Sequence, residues 1–208
     1  MLEAIGLACI RGERLLLRDL SFRADPGSLL WISGSNGSGK TSLLRLLCGL
    51  ARPAAGNVRW SGTDIREERE NFQKALIYQG HLNALKDDLA PEENLSFALH
   101  GTSDKAAVLH CLREHGLGAC LDLPVRVLSQ GQKRRVALAR LSLAGTRPLW
   151  ILDEPFAALD TASSTSLANS IVKHVRQDGI VVLTSHQEVE FADIPLRRLH
   201  LSGGPAVQ

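Results

Sequence analysis

No apolar run in this chain approaches the ~18 residues a bilayer-crossing helix needs, so no membrane span is expected. Nor does either charge dominate. Lys and Arg number 24 against 22 Asp and Glu, a net charge of +2, which is too weak for a nucleic-acid footprint. Residues 1 to 10 are mildly apolar but lack a basic start and a cleavage site, which excludes a signal peptide. The four cysteines, Cys9, Cys48, Cys111 and Cys120, never fall in a C-x-x-C pair. They read as small buried hydrophobes in a reducing compartment rather than as disulfides or metal ligands. There is no internal repeat and no low-complexity segment. What these absences leave is a soluble cytoplasmic chain of 208 residues, long enough for one α/β domain with a small subdomain.

The most informative stretch is Gly34-Ser35-Asn36-Gly37-Ser38-Gly39-Lys40-Thr41, which fits G-x-x-x-x-G-K-[ST] without departure. Ahead of it, residues 28 to 33 are mostly apolar and bounded by Pro26-Gly27, as a buried strand would be. Behind it, Leu43, Leu44, Leu46, Leu47 and Leu50 recur at helical spacing, with Gly49 and Pro53 at the end. Strand, glycine loop and helix form a P-loop. Its glycines let backbone N–H groups converge on phosphates, and the helix start adds its dipole and unpaired N–H groups. Lys40 supplies a point charge for the β- and γ-phosphates, and the Thr41 hydroxyl can ligate Mg²⁺.

Around this unit, residues 1 to 25 read as an antiparallel strand pair, 57 to 62 as a strand and 64 to 74 as a charged surface helix. Residues 75 to 79 form a buried strand with Gln79 at its exit, and 86 to 127 a helical insertion in which Ser103 can cap a helix. Leu128-Ser129-Gln130-Gly131-Gln132 opens a further helix, either an ordinary capped one with Ser129 as N-cap or a second anion site. Residues 149 to 152 are an apolar run ending in Asp153 and Glu154, as in a strand buried on both faces. There Asp153 would hold Mg²⁺ and Glu154 would polarise the attacking water. Asp160 starts a loop or caps the helix from 162 to 175. Residues 180 to 185 form a last strand ending at His186, which reads as structural or catalytic. The 22 residues after it are too few for a regulatory domain.

Together these stretches resemble the ATP-binding cassette (ABC) family over essentially the whole chain. Gly34 to Thr41 matches its Walker A motif, Leu128 to Gln132 its signature and Leu149 to Glu154 its Walker B, while Asp160 matches the D-loop and His186 the switch histidine. The resemblance implies an α/β P-loop NTPase of ABC type, a mixed-sheet core with an antiparallel β part and a helical subdomain. Its expected division is a nucleotide-binding core of 1–85 and 128–208 with a helical subdomain of 86–127. It implies catalytic roles for Glu154, His186 and Lys40, and ATP contacts across the loop and, from a second copy, at Ser129, Gly131 and Gln132. It also implies Mg²⁺ at Thr41 and Asp153, with Gln79 as a further Mg²⁺ contact. Two positions depart from the family pattern. The glutamine after the second strand is expected nearer Leu82, so either Gln79 serves from a shifted loop or the loop works without one. Where such cassettes offer an aromatic ring to adenine, Cys9-Ile10-Arg11-Gly12 has none, and weaker or aliphatic contacts are expected.

A narrower resemblance rests on Gly34 to Gly37, Tyr78 to His81 with Leu85-Lys86, Leu128 to Leu141 and Trp150 to Asp160. It is to the haem-exporter ATP-binding subunits of c-type cytochrome maturation. This implies a homodimer of peripheral ATPases on the cytoplasmic face of a bacterial inner membrane, working with permease-type integral subunits of the Ccm system and not with nucleic acid. Another cargo, or a non-transport ABC ATPase, is the alternative. Repair cassettes carry coiled-coil or zinc insertions and translation-factor cassettes fuse two domains, and neither feature is in this chain.

Overall fold

The computed structural model describes residues 1–99, 104–143, 145 and 147–202. Alternating apolar residues build the first layer. Strands β1 (Leu2–Arg11) and β2 (Arg14–Ala24) form an antiparallel hairpin, with Leu2 opposite Ala24 and Arg11 opposite Arg14. From β2 the chain runs through β3 (Ser28–Gly34) into α1 (Lys40–Leu47), then returns through β4 (Ala55–Trp60) and β5 (Thr63–Asp64). β4 pairs with the free side of β1, which gives a four-stranded sheet in the order β2-β1-β4-β5. Its inward residues, among them Leu2, Ala4, Leu7 and Val58, are buried, as a half-covered antiparallel sheet requires.

Helix α2 (Arg69–Ala75) leads to β6 (Leu76–Gln79). Then come α3 (Pro91–Ala98), α4 (Lys105–Glu114), two 3₁₀ turns, α5 (Gln130–Leu143), β7 (Leu149–Asp153), α6 (Thr161–Arg176), β8 (Ile180–Thr184) and β9 (Leu196–Leu201). The second sheet is parallel in the order β6-β7-β8-β3-β9. Every residue of β7 and β8 is buried, which explains their apolar runs up to the polar ends Asp153 and Thr184. Successive side chains go to opposite faces. Leu30, Ile32, Ile151 and Val182 pack with α1 and the antiparallel sheet. Leu29, Trp31, Leu152 and Val181 pack with Leu138 and Leu141 of α5 and with Leu167 and Ile171 of α6. The other face of α5, Val136 and Ala139, closes a separate helical core with Leu95, Val108 and Leu112. Helix α5 therefore belongs to both cores.

Three expectations change. The charged segment 64 to 74 is not one solvated helix: its helix begins at Arg69 and buries Phe72 to 2% exposure. Strand β9 had no sequence signal, because Arg197, Arg198 and His200 interrupt its apolar residues. It is an edge strand held by β3. Ser103 lies outside the described residues, and the cap of α4 is Asp104, whose carboxylate accepts from the Ala106 N–H. The cysteines are free, with Cys48, Cys111 and Cys120 buried.

His174 gives the fold an acid-sensitive point. Its ring stacks on Trp150 with centroids 3.9 Å apart and planes 7° from parallel, and Nε2 lies 3.3 Å from the Pro148 carbonyl, which can only accept. A Cβ on Gly179 would stand 2.3 Å from that nitrogen, so a side chain there would displace the ring. Burial pushes the imidazole below its usual range against the pull of the Pro148 carbonyl. The unfolded chain therefore binds a proton near pH 6.5 that the folded chain refuses, and stability falls as pH drops through that value. His174→Phe is expected to flatten the fall in unfolding temperature between about pH 7 and about pH 5, and an unchanged slope would remove this account.

Candidate active site

The parallel sheet brings its carboxyl ends into one row, where ligands bind in open α/β sheets. Ile32 and Asp153 both lie opposite Thr184 across their strand pairs. The loop from Gly34 to Gly39 starts from this row. A Cβ on Gly34 would come within 2.5 Å of the Leu201 carbonyl, and Gly39 begins α1 at φ 101°, so both positions need glycine. Lys40 is 9% exposed, and its Nζ donates to the carbonyls of Gly34 at 2.7 Å and Ser35 at 3.2 Å. The first turn of α1 carries no acidic residue to compete for an anion.

Asp153 is buried and held from two sides. The Thr41 hydroxyl donates to Oδ2 at 2.9 Å and the Thr184 hydroxyl to Oδ1 at 2.7 Å. Thr184 accepts in turn from the Glu154 N–H at 2.9 Å. Glu154 sits at φ 49°, a left-handed backbone that costs about 1 kcal/mol or more and turns its carboxylate off the strand direction. The His186 N–H donates to Oε2 at 3.1 Å. His186 Nε2 stands 3.5 Å from Oε1, within ion-pair reach but outside hydrogen-bond geometry, so Oε1 is a buried acceptor with no donor. The hydroxyl of Thr41 and the carboxylate of Asp153 form a hard oxygen pair of the kind Mg²⁺ accepts when phosphates and water complete its shell.

Arg134 and Thr184 carry weight that the sequence did not signal. Arg134, one of three consecutive basic residues, is 3% exposed. It donates through Nη2 to the carbonyls of Asp153 at 3.1 Å and Glu154 at 2.6 Å, and through Nε to that of Pro155 at 3.3 Å. Its Nη1 reaches Gly80 O at 3.4 Å and Asn83 Oδ1 at 3.1 Å. Burial lowers its pKa, opposed by Asp153 and Glu154. One guanidinium thus ties α5 to the strained Glu154 peptide and to the loop after β6.

Gln79 does not reach the cleft. It is fully buried, and its amide donates to the carbonyls of Gly80 at 3.0 Å and Leu82 at 3.3 Å. The amide nitrogen holds its own loop, while Oε1, the atom a metal would use, is a buried acceptor with no donor among the described residues. Leu82 is 79% exposed, and His81 is the residue of this loop that lines the cleft.

The cleft itself, about 580 Å³, is lined by Asn36, Gly37, Gly39 to Ser42, His81, Asp153, Glu154 and His186, and at the hairpin by Arg11, Arg14 and Leu16. Ser129, Gly131 and Gln132 are absent from that lining. They begin α5, where the Ser129 N–H donates to Gln132 Oε1 at 2.8 Å and the Gln132 N–H to Ser129 Oγ at 3.2 Å, a reciprocal cap. Gly131 packs against the chain before Asp160, since a Cβ on it would stand 3.1 Å from the Ala158 carbonyl. Asp160 caps α6 by accepting from the Ser163 N–H at 2.7 Å, which holds its carboxyl below the usual range. The arrangement offers an anion cradle, a hard-cation pair and a carboxylate beside a histidine.

Residues 17–157 match the model of the ABC transporter family. The chain is 52% identical over 205 residues to the cytochrome c biogenesis ATP-binding export protein CcmA of Aromatoleum aromaticum, covering 97% of this chain and 95% of that one. It is 49% identical to the CcmA of Nitrosospira multiformis, covering 97% and 98%. Among solved structures it resembles an ATP-binding subunit of an ABC transporter with TM-score 0.80 and 26% identity, covering 89% of this chain and 79% of that one. Its fold also matches a dimeric ATP-binding cassette bound to ADP and Pi, with TM-score 0.82 and 22% identity, covering 100% and 99%. Sequence, sheet order and cleft agree: this chain is an ATPase of the ABC transporter family and belongs, within it, with the cytochrome c biogenesis ATP-binding export proteins.

Proposed function

We propose that two copies of this chain sandwich ATP and use its hydrolysis to drive integral permease-type subunits that export or deliver haem for c-type cytochrome biogenesis. One observation carries the two-copy reading. The groups for hydrolysis converge in the cleft, while Ser129 stands outside it, exposed at the start of a capped helix. An anion site at a helix start has no use in its own chain's cleft, and a two-fold pair brings it to the neighbour's triphosphate.

In this reading Gly34 to Thr41 hold the phosphates, and Lys40 neutralises charge as the terminal bond breaks. Thr41 and Asp153 would hold Mg²⁺, which would supply charge neutralisation at the phosphates. Glu154 takes the proton of the attacking water, and His186, fixed to it through its own N–H, senses the γ-phosphate. Only the closed pair makes both sets of phosphate contacts, so ATP favours closure and cleavage permits reopening. A shift from mostly open to mostly closed takes about 5.5 kcal/mol of differential affinity, within reach of two such sites.

The nucleotide core is 1–85 with 128–208, and the helical unit 86–127 is the arm toward the membrane partner. No helix of the described residues is long and apolar enough to cross a membrane. Membrane attachment therefore comes from the partner, on the cytoplasmic face where ATP is available. A hollow of about 640 Å³ lined by Leu50, Tyr78, Leu99, Arg140 and Arg147 lies between core and arm, and Leu50, Leu82 and Phe97 are more than half exposed. Solvent-facing apolar side chains of this size suit a protein contact.

Deleting the gene is expected to abolish haem-stained c-type cytochromes, with recovery on expressing the wild-type chain but not Lys40→Ala. Polytopic subunits should copurify with it from solubilised membranes. Normal cytochrome levels in the deletion strain would refute the cytochrome assignment while leaving the ATPase intact.

A further inference from the structure

Of the three consecutive basic residues near the start of α5, only the middle one turns toward the carboxyl end of β7. Lys133 faces Asp87 at 3.7 Å, and Arg135 donates to the His115 carbonyl at 3.3 Å. Arg134 does not line the cleft. Its five hydrogen bonds match the five N–H groups of a guanidinium, and three of them end on the successive carbonyls of Asp153, Glu154 and Pro155. All five acceptors are uncharged, and among the described residues no carboxylate ion-pairs with it. The peptides on either side of Glu154 are thereby both fixed. The one before it is held at its N–H by Thr184 and at its carbonyl by Arg134. The one after it carries no N–H, because residue 155 is proline. Its carbonyl accepts from Arg134 at 2.6 Å and from the Ala157 N–H at 3.2 Å. With both planes fixed, φ and ψ of Glu154 are fixed too, and with them the direction of its Cα–Cβ bond. A glutamate left to itself avoids φ 49°, and a return to negative φ would turn its carboxylate away from the His186 N–H.

We propose that Arg134 is a positioning residue for ATP hydrolysis, holding Glu154 in the left-handed backbone that aims its carboxylate into the cleft. This rests on reading Glu154 as the base that takes the proton of the attacking water. The anchor is stiff at its root, since Val136, Leu138, Ala139 and Leu141 of the same helix are packed into two cores. A lysine at this position keeps the charge but offers a point ammonium in place of a planar fork, and it does not span three carbonyls and Asn83 at once. None of the five bonds reaches the loop of residues 34 to 41 that cradles the phosphates. Loss of the fork therefore falls on the rate of cleavage and not on ATP binding.

A double-mutant cycle on the full-length chain tests this, with phosphate release followed at saturating ATP and affinity measured by calorimetry with a non-hydrolysable ATP analogue. R134K is expected to slow cleavage by about 10²-fold, the usual penalty for misplacing a reacting group by an ångström, and to leave analogue affinity within about threefold. In the E154Q background the same substitution is expected to change the rate by less than about threefold, because no base remains to be aimed. An arginine that merely supports the fold would lower the rate by the same factor in both backgrounds, and that result overturns the proposal. So does wild-type turnover in R134K, or a loss of affinity as large as the loss of rate. Wild-type turnover in E154Q alone would instead remove the base assignment, and the positioning role with it. Should R134K fail to fold, R134Q enters the same cycle. Unfolding of both variants would assign Arg134 to the stability of the fold and end the proposal.

Discussion

Lys40→Ala is expected to leave less than about one hundredth of wild-type ATP turnover, since removing one preorganised charge-stabilising donor costs on the order of 10²–10³ in rate. Two physical roles are lost at once. Lys40 is the only cation within the loop of residues 34 to 41, and its stem is almost wholly buried, so water does not replace its charge well. Its Nζ also ties down the carbonyls of Gly34 and Ser35, which hold the entry to the loop. Arginine is no substitute, because a larger planar fork enters a position with 9% exposure. The apolar face of α1, with Leu43, Leu44, Leu46 and Leu47 in the core, is untouched, so the variant should unfold within a few degrees of wild type. A steady-state assay at saturating ATP decides the matter. Wild-type turnover in a folded Lys40→Ala variant would end the account of the cleft.

The parts legible in the sequence are those in which short-range pattern and tertiary environment agree. β7 and β8 are apolar up to their last residues, Asp153 and Thr184, because helices and a second sheet cover both faces, and the glycine loop reads directly because its backbone geometry admits few other residues. The parts that were not legible depend on partners distant in the chain. Nothing in Lys133-Arg134-Arg135 says that the middle residue turns inward, since its five acceptors come from two other loops. Gln79 has the right type at a strand exit, yet its side chain is buried away from the cleft, its amide nitrogen holding its own loop. β9 exists because β3 offers it a ladder, not because its residues alternate cleanly. Thr184 was visible as a strand residue, but its role, joining Asp153 Oδ1 to the Glu154 N–H, is a property of the β7–β8 register.

The same long-range ties join the cleft to the helical core. Helix α5 carries the exposed Ser129 cap at its start, fills both the sheet core and the helical core along its length, and anchors the Glu154 peptide through Arg134. A force on the first turn of α5 therefore reaches the Glu154 peptide and the loop bearing His81 through one buried guanidinium. Packed cores respond to such forces as units rather than by smooth deformation.

Glu154→Gln is the variant expected to separate binding from cleavage. The substitution keeps the side-chain shape, and its amide oxygen can still accept from the His186 N–H that now holds Oε2. What disappears is the negative charge and the ability to take a proton from water, so turnover should fall by ~10²- to 10⁴-fold. ATP affinity should hold or rise, because a carboxylate facing a triphosphate repels it and an amide does not. With cleavage blocked and both phosphate clamps engaged, the two-copy state should accumulate. Gel filtration of the membrane complex, or of the chain alone at high concentration, should show an ATP-dependent dimer in Glu154→Gln that wild type shows only transiently. Cysteines placed at Ser129 and Ser35 should cross-link between chains under the same conditions. Turnover within a few-fold of wild type would assign the base elsewhere, and a monomer throughout, with ATP bound and partners present, would remove the proposed sandwich.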